Sequence, residues 1–115
     1  MAAKVTRTLS GTSPTDEIEL RDQTILRIQV GASWDSAALY AEEKLSDDGA
    51  WAPLYDDEGN RISIAVAASR VVRLDERIFQ HARAVRFLSS NSQGGTRTLT
   101  IQTERITALI HGVPA

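Results

Sequence analysis

Thr24-Ile25-Leu26-Arg27-Ile28-Gln29-Val30 decides the fold class. Leu26, Ile28 and Val30 share one parity, and Arg27 and Gln29 share the other. A strict period of two is the pattern of a strand with one face buried and one face wet. Arg61-Ile62-Ser63-Ile64-Ala65-Val66 repeats it with Ile62, Ile64 and Val66, and Thr98-Leu99-Thr100-Ile101-Gln102-Thr103 repeats it again. Weaker strand signals lie at Lys4–Leu9, Glu17–Leu20, Ala38–Leu45, Ala52–Tyr55, Arg70–Leu74 and Ala84–Ser89. Eight or nine short strands in 115 residues give the regular spacing of a β-sandwich or barrel.

Turn chemistry fills the gaps. Asp47-Asp48-Gly49 closes a hairpin between Leu45 and Trp51, and Asp57-Glu58-Gly59-Asn60 closes another before Arg61, because glycine and asparagine accept the positive φ of tight turns. Ser90–Gly95 reads as a long polar loop. Asp75–His81 reads as one short helix, capped by Asp75 with Leu74 stapling onto Ile78 or Phe79. Trp34–Leu45 fits a helical stripe almost as well as a strand, and the hairpin that follows it favours strand. The expected architecture is therefore all-β: a single sandwich or jelly-roll-like domain of about eight short antiparallel strands, with one short helix near 75–81. Residues 1–15 read as an N-terminal arm or edge segment, 16–109 as the sandwich, and 110–115 as a tail.

Composition narrows the chemistry. The chain has no cysteine, which excludes disulfide frameworks, thiolate metal sites and cysteine nucleophiles. Lys+Arg is 13 and Asp+Glu is 15, so the net charge of −2 lacks the basic excess of a nucleic-acid-binding domain. No stretch is apolar over the ~18–20 residues of a membrane span, and Met1–Thr8 carries no secretory pattern. His81 and His111 are the two histidines, and no G-x-S-x-G elbow accompanies them. Asp47, Asp48, Asp56, Asp57 and Glu58 suggest either hard oxygen ligands for calcium or capping of two turns, and their spacing is not that of an EF-hand loop. No catalytic, cofactor or metal set is expected from this pattern.

The arginines are the main surface signal. They outnumber lysines eleven to two, and Arg70, Arg73, Arg77, Arg83 and Arg86 fall within seventeen residues. Such a run is either a solvated face balanced by Asp75 and Glu76 or a protein interface, where arginine is enriched and lysine depleted. Trp34 and Trp51, with Tyr40 and Tyr55, either fill the core or anchor a partner. The candidate interface residues are Trp34, Arg70, Arg73, Arg77 and Arg83.

One longer pattern resembles a known group. Leu45-Ser46-Asp47-Asp48-Gly49-Ala50-Trp51-Ala52-Pro53-Leu54-Tyr55-Asp56-Asp57-Glu58-Gly59-Asn60 precedes Ile62-Ser63-Ile64-Ala65. Val71-Val72-Arg73-Leu74-Asp75, Phe79 and Ala84-Val85-Arg86-Phe87-Leu88-Ser89-Ser90 follow. Over roughly residues 24–105 this resembles small structural proteins of tailed bacteriophages encoded near the capsid genes. Here Ser89-Ser90 stands where that pattern has Ser-Gly, and Glu76 where it has proline. The resemblance implies a non-enzymatic virion protein with a β-sandwich fold. It implies capsid decoration, or cement: copies on the outside of the head that bridge neighbouring major capsid protein subunits. The expected partners are the major capsid protein and itself, as a homo-oligomer (trimer or dimer), with no nucleic acid and no membrane. Synthesis in the host bacterial cytoplasm is expected. The alternatives are a tail or neck adaptor or fibre-associated protein, and a carbohydrate-binding sandwich that stacks sugars on Trp34, Tyr40 or Tyr55.

Overall fold

A computed structural model describes residues 3–10, 14–32, 34, 38–45, 49–75, 77–80, 82–89 and 96–105. Among the described residues, nine strands run in chain order: β1 (Ala3–Ser10), β2 (Ile18–Glu19), β3 (Gln23–Val30), β4 (Leu39–Lys44), β5 (Ala52–Pro53), β6 (Ser63–Ile64), β7 (Val71–Arg73), β8 (Ala84–Ser89) and β9 (Thr96–Arg105). They form two antiparallel sheets. Sheet A has the order β1-β9-β3-β7, and sheet B has β2-β8-β4-β5 with β6 also on β4. This is a β-sandwich.

The alternating segments supply the inner faces. Ile28, Val30, Leu99, Ile101 and Leu9 of sheet A meet Ile18, Leu39, Ala41, Ile64, Val85 and Phe87 of sheet B in one buried cluster. Burying a side chain of this kind is worth about 1.5–3 kcal/mol. Phe79, from the segment before β8, packs edge-on against Phe87 with ring centroids 5.8 Å apart.

The structure departs from the sequence expectation at two places. Leu26 is not an inward residue of β3: a bulge between Ile25 and Arg27 adds one residue to the ladder, so Ile25 takes the buried position and Leu26 is half-buried. The short helix of Asp75–His81 is absent among the described residues, and two turns replace it. Asp75 Oδ1 accepts from the Arg77 N–H at 3.0 Å, the Ile78 N–H reaches Asp75 O, and the Ala82 N–H reaches Phe79 O. One turn of helix costs more to nucleate than it returns, whereas turns let Phe79 enter the core. Ala3–Ser10 forms an edge strand of sheet A. It pairs with β9 over its whole length and buries Leu9. Ser90–Gly95, the histidines and the tail 110–115 lie outside the described residues.

The hairpin at 57–60 is an excursion from an edge. Ala52–Pro53 pairs with Glu42 and Glu43, and Ser63–Ile64 pairs with Tyr40 and Leu39 on the same side of β4. Between them the chain leaves the sheet, bridges Tyr55 to Arg61 and returns, with the Ile62 N–H bonded to Leu54 O. Asp56 Oδ1 accepts from the N–H groups of Glu58 and Asn60, both at 2.9 Å, and Gly59 takes φ +87°. Asp56 is thus a turn residue, held below the usual carboxylate range first by the Asn60 N–H.

Candidate interaction surface

A sandwich leaves two outer faces, and here they differ in chemistry. On sheet B the outward residues are Tyr40, Glu42 and Lys44 of β4, Arg86 and Leu88 of β8, and Glu19 of β2. Their charges are matched within the chain. Arg86 Nε meets Glu42 Oε1 at 2.6 Å, directly across the ladder, and Lys44 Nζ meets Glu17 Oε1 at 2.7 Å. Glu19 lies 3.5 Å from Arg21 and 4.0 Å from Arg83.

Aromatic rings lock the same face. Arg86 and Lys44 sit over Trp51 at 4.6 and 5.2 Å, and the Arg61 guanidinium lies 4.1 Å from the Tyr40 ring centre. Cation–π contacts of this kind contribute about 0.5–1 kcal/mol when partly exposed. Trp51 and Tyr40 are half-buried, so each offers ring edge and partial surface, with one side already covered by a cation.

Sheet A presents a different outer face. Its register aligns Lys4 with Gln102, Gln102 with Arg27, and Arg27 with Arg73. One row across four strands therefore carries three cations and an amide. At about 4.8 Å per strand the row is about 14 Å long. The next row is Thr6, Thr100, Gln29 and Val71, and beyond it lie Thr8 and Thr98. Val71 is 57% exposed. Arg70, also exposed, adjoins the β7 end of the rows.

The expected interface residues separate accordingly. Trp34 is 5% exposed and belongs to the core, so its own chain already covers the surface that a partner was expected to bury. Arg70 and Arg73 lie at the sheet A face. Arg83 lies at the sheet B face beside Glu19. Arg77 belongs to neither: it pairs with Asp75 at 3.0 Å on the rim of a small groove. That groove, of about 260 Å³, lies between the 55–61 hairpin and the 75–78 turn, with Leu54, Ile62 and Ile78 on its walls. Its two carboxylates are committed, Asp56 to its turn and Asp75 to Arg77, which lowers the Asp75 pKa.

Lys4 and Arg27 lie far from Arg73 along the chain. They are 69 and 46 positions from Arg73, and only the strand register brings them into its row. Their outward parity in alternating strands was the available signal.

Among the described residues, no three histidine or acidic side chains gather as a metal site, and no helix is long and apolar enough to cross a membrane. Glu43 has its pKa raised above the ordinary value by burial. It has the inward parity of β4, opposite Val85.

Neither a family model nor a curated protein sequence matches the chain. Among solved structures, the fold is similar to the SPBc2 prophage-derived protein YomS. The TM-score is 0.57, with 13% sequence identity over 90% of this chain and 96% of that one. The likeness is one of fold.

Proposed function

We propose that this protein is a bacteriophage capsid decoration protein that acts by binding rather than by catalysis. It sits on the head exterior, contacts the major capsid protein and its own copies, and bridges neighbouring subunits. Supporting this are the sequence resemblance to small virion proteins and a sandwich fold similar to that of a prophage-derived protein.

The observation that carries the reading is the outer face of sheet B. Arginine, tryptophan and tyrosine are the residues that dominate binding energy at protein interfaces. Here Arg86, Trp51, Arg61 and Tyr40 are held in place before any partner arrives. A pre-ordered patch loses little side-chain entropy on docking. Its internal charge matching lets it meet a partner surface without leaving a bare charge behind. Of the rings expected to stack a sugar, Trp34 is buried and Tyr40 carries the Arg61 cation, which leaves Tyr55, 55% exposed, as the open ring of the three. The pre-ordered face of sheet B favours protein contact over stacking on that single ring.

The test adds purified protein to heads that lack it and counts bound copies by quantitative mass spectrometry. A copy number comparable with the major capsid protein is expected. Trp51→Ala is expected to weaken head binding about tenfold or more while the chain still melts cooperatively. A handful of copies confined to the tail or neck, or undiminished binding by Trp51→Ala, refutes the reading.

A further inference from the structure

We infer that the outer face of sheet A is a second, separate docking surface, and that it takes an acidic surface of a partner protein. The inference goes beyond decoration of the head and holds for any particle component that supplies the carboxylates.

The first ground is register. Arg27 stands directly opposite Arg73, and Lys4 stands in the same row beyond Gln102. Like charges facing each other across a ladder are unfavourable in the isolated sheet. Single alternations along each strand produce polar outer positions, but they do not require the cations of three strands to coincide in one row.

The second ground is the missing counter-charge. Lys4, Arg27, Arg70 and Arg73 make no ion pair among the described residues. The ion pairs of Arg86, Lys44, Arg83 and Arg21 all belong to the sheet B side. On one side the neighbouring rows are neutral and short, Thr6, Thr100 and Gln29, then Thr8 and Thr98. On the other, β9 continues from Gln102 to Glu104, opposite Thr24, and Glu104 makes no ion pair with Lys4, Arg27 or Arg73. Arg73 is exposed and Arg27 half-exposed in this row, and Val71 is 57% exposed at its β7 end.

The chemistry of the occupant follows. Guanidinium groups recognise planar carboxylates with paired hydrogen bonds. A cationic patch on an otherwise acidic protein also steers an acidic partner toward that side. Nucleic acid fits less well. The row spans about 14 Å, the flanking rows hold no further cation, and the whole chain is net negative. The threonine methyls and Val71 supply contact area that a protein surface uses and a phosphate backbone does not.

The test titrates the full chain against poly-L-glutamate and, separately, against a 20-base-pair DNA duplex, each at 50 and 300 mM NaCl. Poly-L-glutamate is expected to bind, to weaken at least tenfold at the higher salt, and to lose at least tenfold in affinity in the double variant Arg27→Gln/Arg73→Gln. Glu17→Gln, on the other side of the sandwich, is expected to leave that affinity within twofold. Because removing like charges does not cost stability, the double variant is expected to melt at or above the parent temperature, so lost binding cannot be lost folding. Equal affinity of parent and double variant overturns the inference. So does tighter binding of the duplex than of poly-L-glutamate. Both readouts are made without phage heads, so a failure here is distinct from a failure of the decoration reading.

Discussion

The two outer faces of this sandwich use the same residue types to opposite ends. On sheet B, Arg86 and Lys44 sit between a carboxylate and an indole, and each cation has its counter-charge within the chain. On sheet A, Arg27 faces Arg73 and neither has an ion pair among the described residues. The difference teaches that arginine content says little about a surface until register is known. Placed across from glutamate, an arginine stabilises its own fold. Placed across from another arginine, it costs a little and remains available to something else. If the molecule bridges neighbours as proposed, it needs two contact surfaces, and these two faces differ in how they would be reached: one by shape and pre-ordering, one by charge.

Four changes break or sharpen that contrast. The largest effect is expected from Arg86→Ala. It removes a 2.6 Å ion pair whose members are only 27% and 18% exposed, along with the stack on Trp51. It also leaves the Glu42 carboxylate half-buried and unmatched, so a loss of about 2–3 kcal/mol is expected in a denaturant melt. A cost below ~0.5 kcal/mol, the usual size for a loose surface pair, shows that sheet B is not locked. Next, Arg61→Ala strips the cation from Tyr40 and loosens the return of the 55–61 hairpin. About 1 kcal/mol is expected, with the fluorescence of Trp51 unchanged.

The sign then reverses on the other face. Arg73→Glu replaces a facing like pair by a facing opposite pair with Arg27, and is expected to stabilise by about 0.5 kcal/mol while weakening capture of an acidic partner. A stabilised variant that also binds more tightly contradicts the division between the faces.

The smallest change concerns the interior edge of sheet B. Burial raises the Glu43 pKa above its ordinary value, so the folded state holds this proton more tightly than the unfolded chain. Its stability contribution is present below the unfolded pKa, about 4.3, and is lost as pH rises through the folded value. Glu43→Gln is therefore expected to raise the melting temperature at pH 7, with the gain shrinking toward pH 4. Asp56 and Asp75 run the other way. Both have lowered pKa values, so their turns are stabilised above the ordinary carboxylate range and lose that support as pH falls through the folded values. A Glu43→Gln gain that grows on acidification contradicts the assignment.

Much of this was legible in the linear chain. Two-residue periodicity at 24–30 and 98–103 marks strands because a pleated backbone sends alternate side chains to opposite faces, while of 61–66 only Ser63–Ile64 is laddered. The 56–60 stretch marks its hairpin because the Asp56 side chain and the Gly59 φ suit a turn; Asp47 and Asp48 of the other expected turn lie outside the described residues. Those are local properties, and local sequence carries them. The bulge at Leu26 was not legible, since one extra residue in a ladder is set by how β3 must meet β9. Nor was the turn pair at 75–82, where the demand of Phe79 for the core outweighs a weak helical preference.

Sequence by itself determined that this is an all-β chain with apolar inner positions, polar outer ones and no cysteine chemistry, because these depend on composition and on the spacing of neighbours. Only the tertiary structure decided that Trp34 is core, that Arg86 is matched, and that Lys4, Arg27 and Arg73 share one row. Charge acts through space at a few ångströms, and it is strand register, not order along the chain, that sets which charges stand that close.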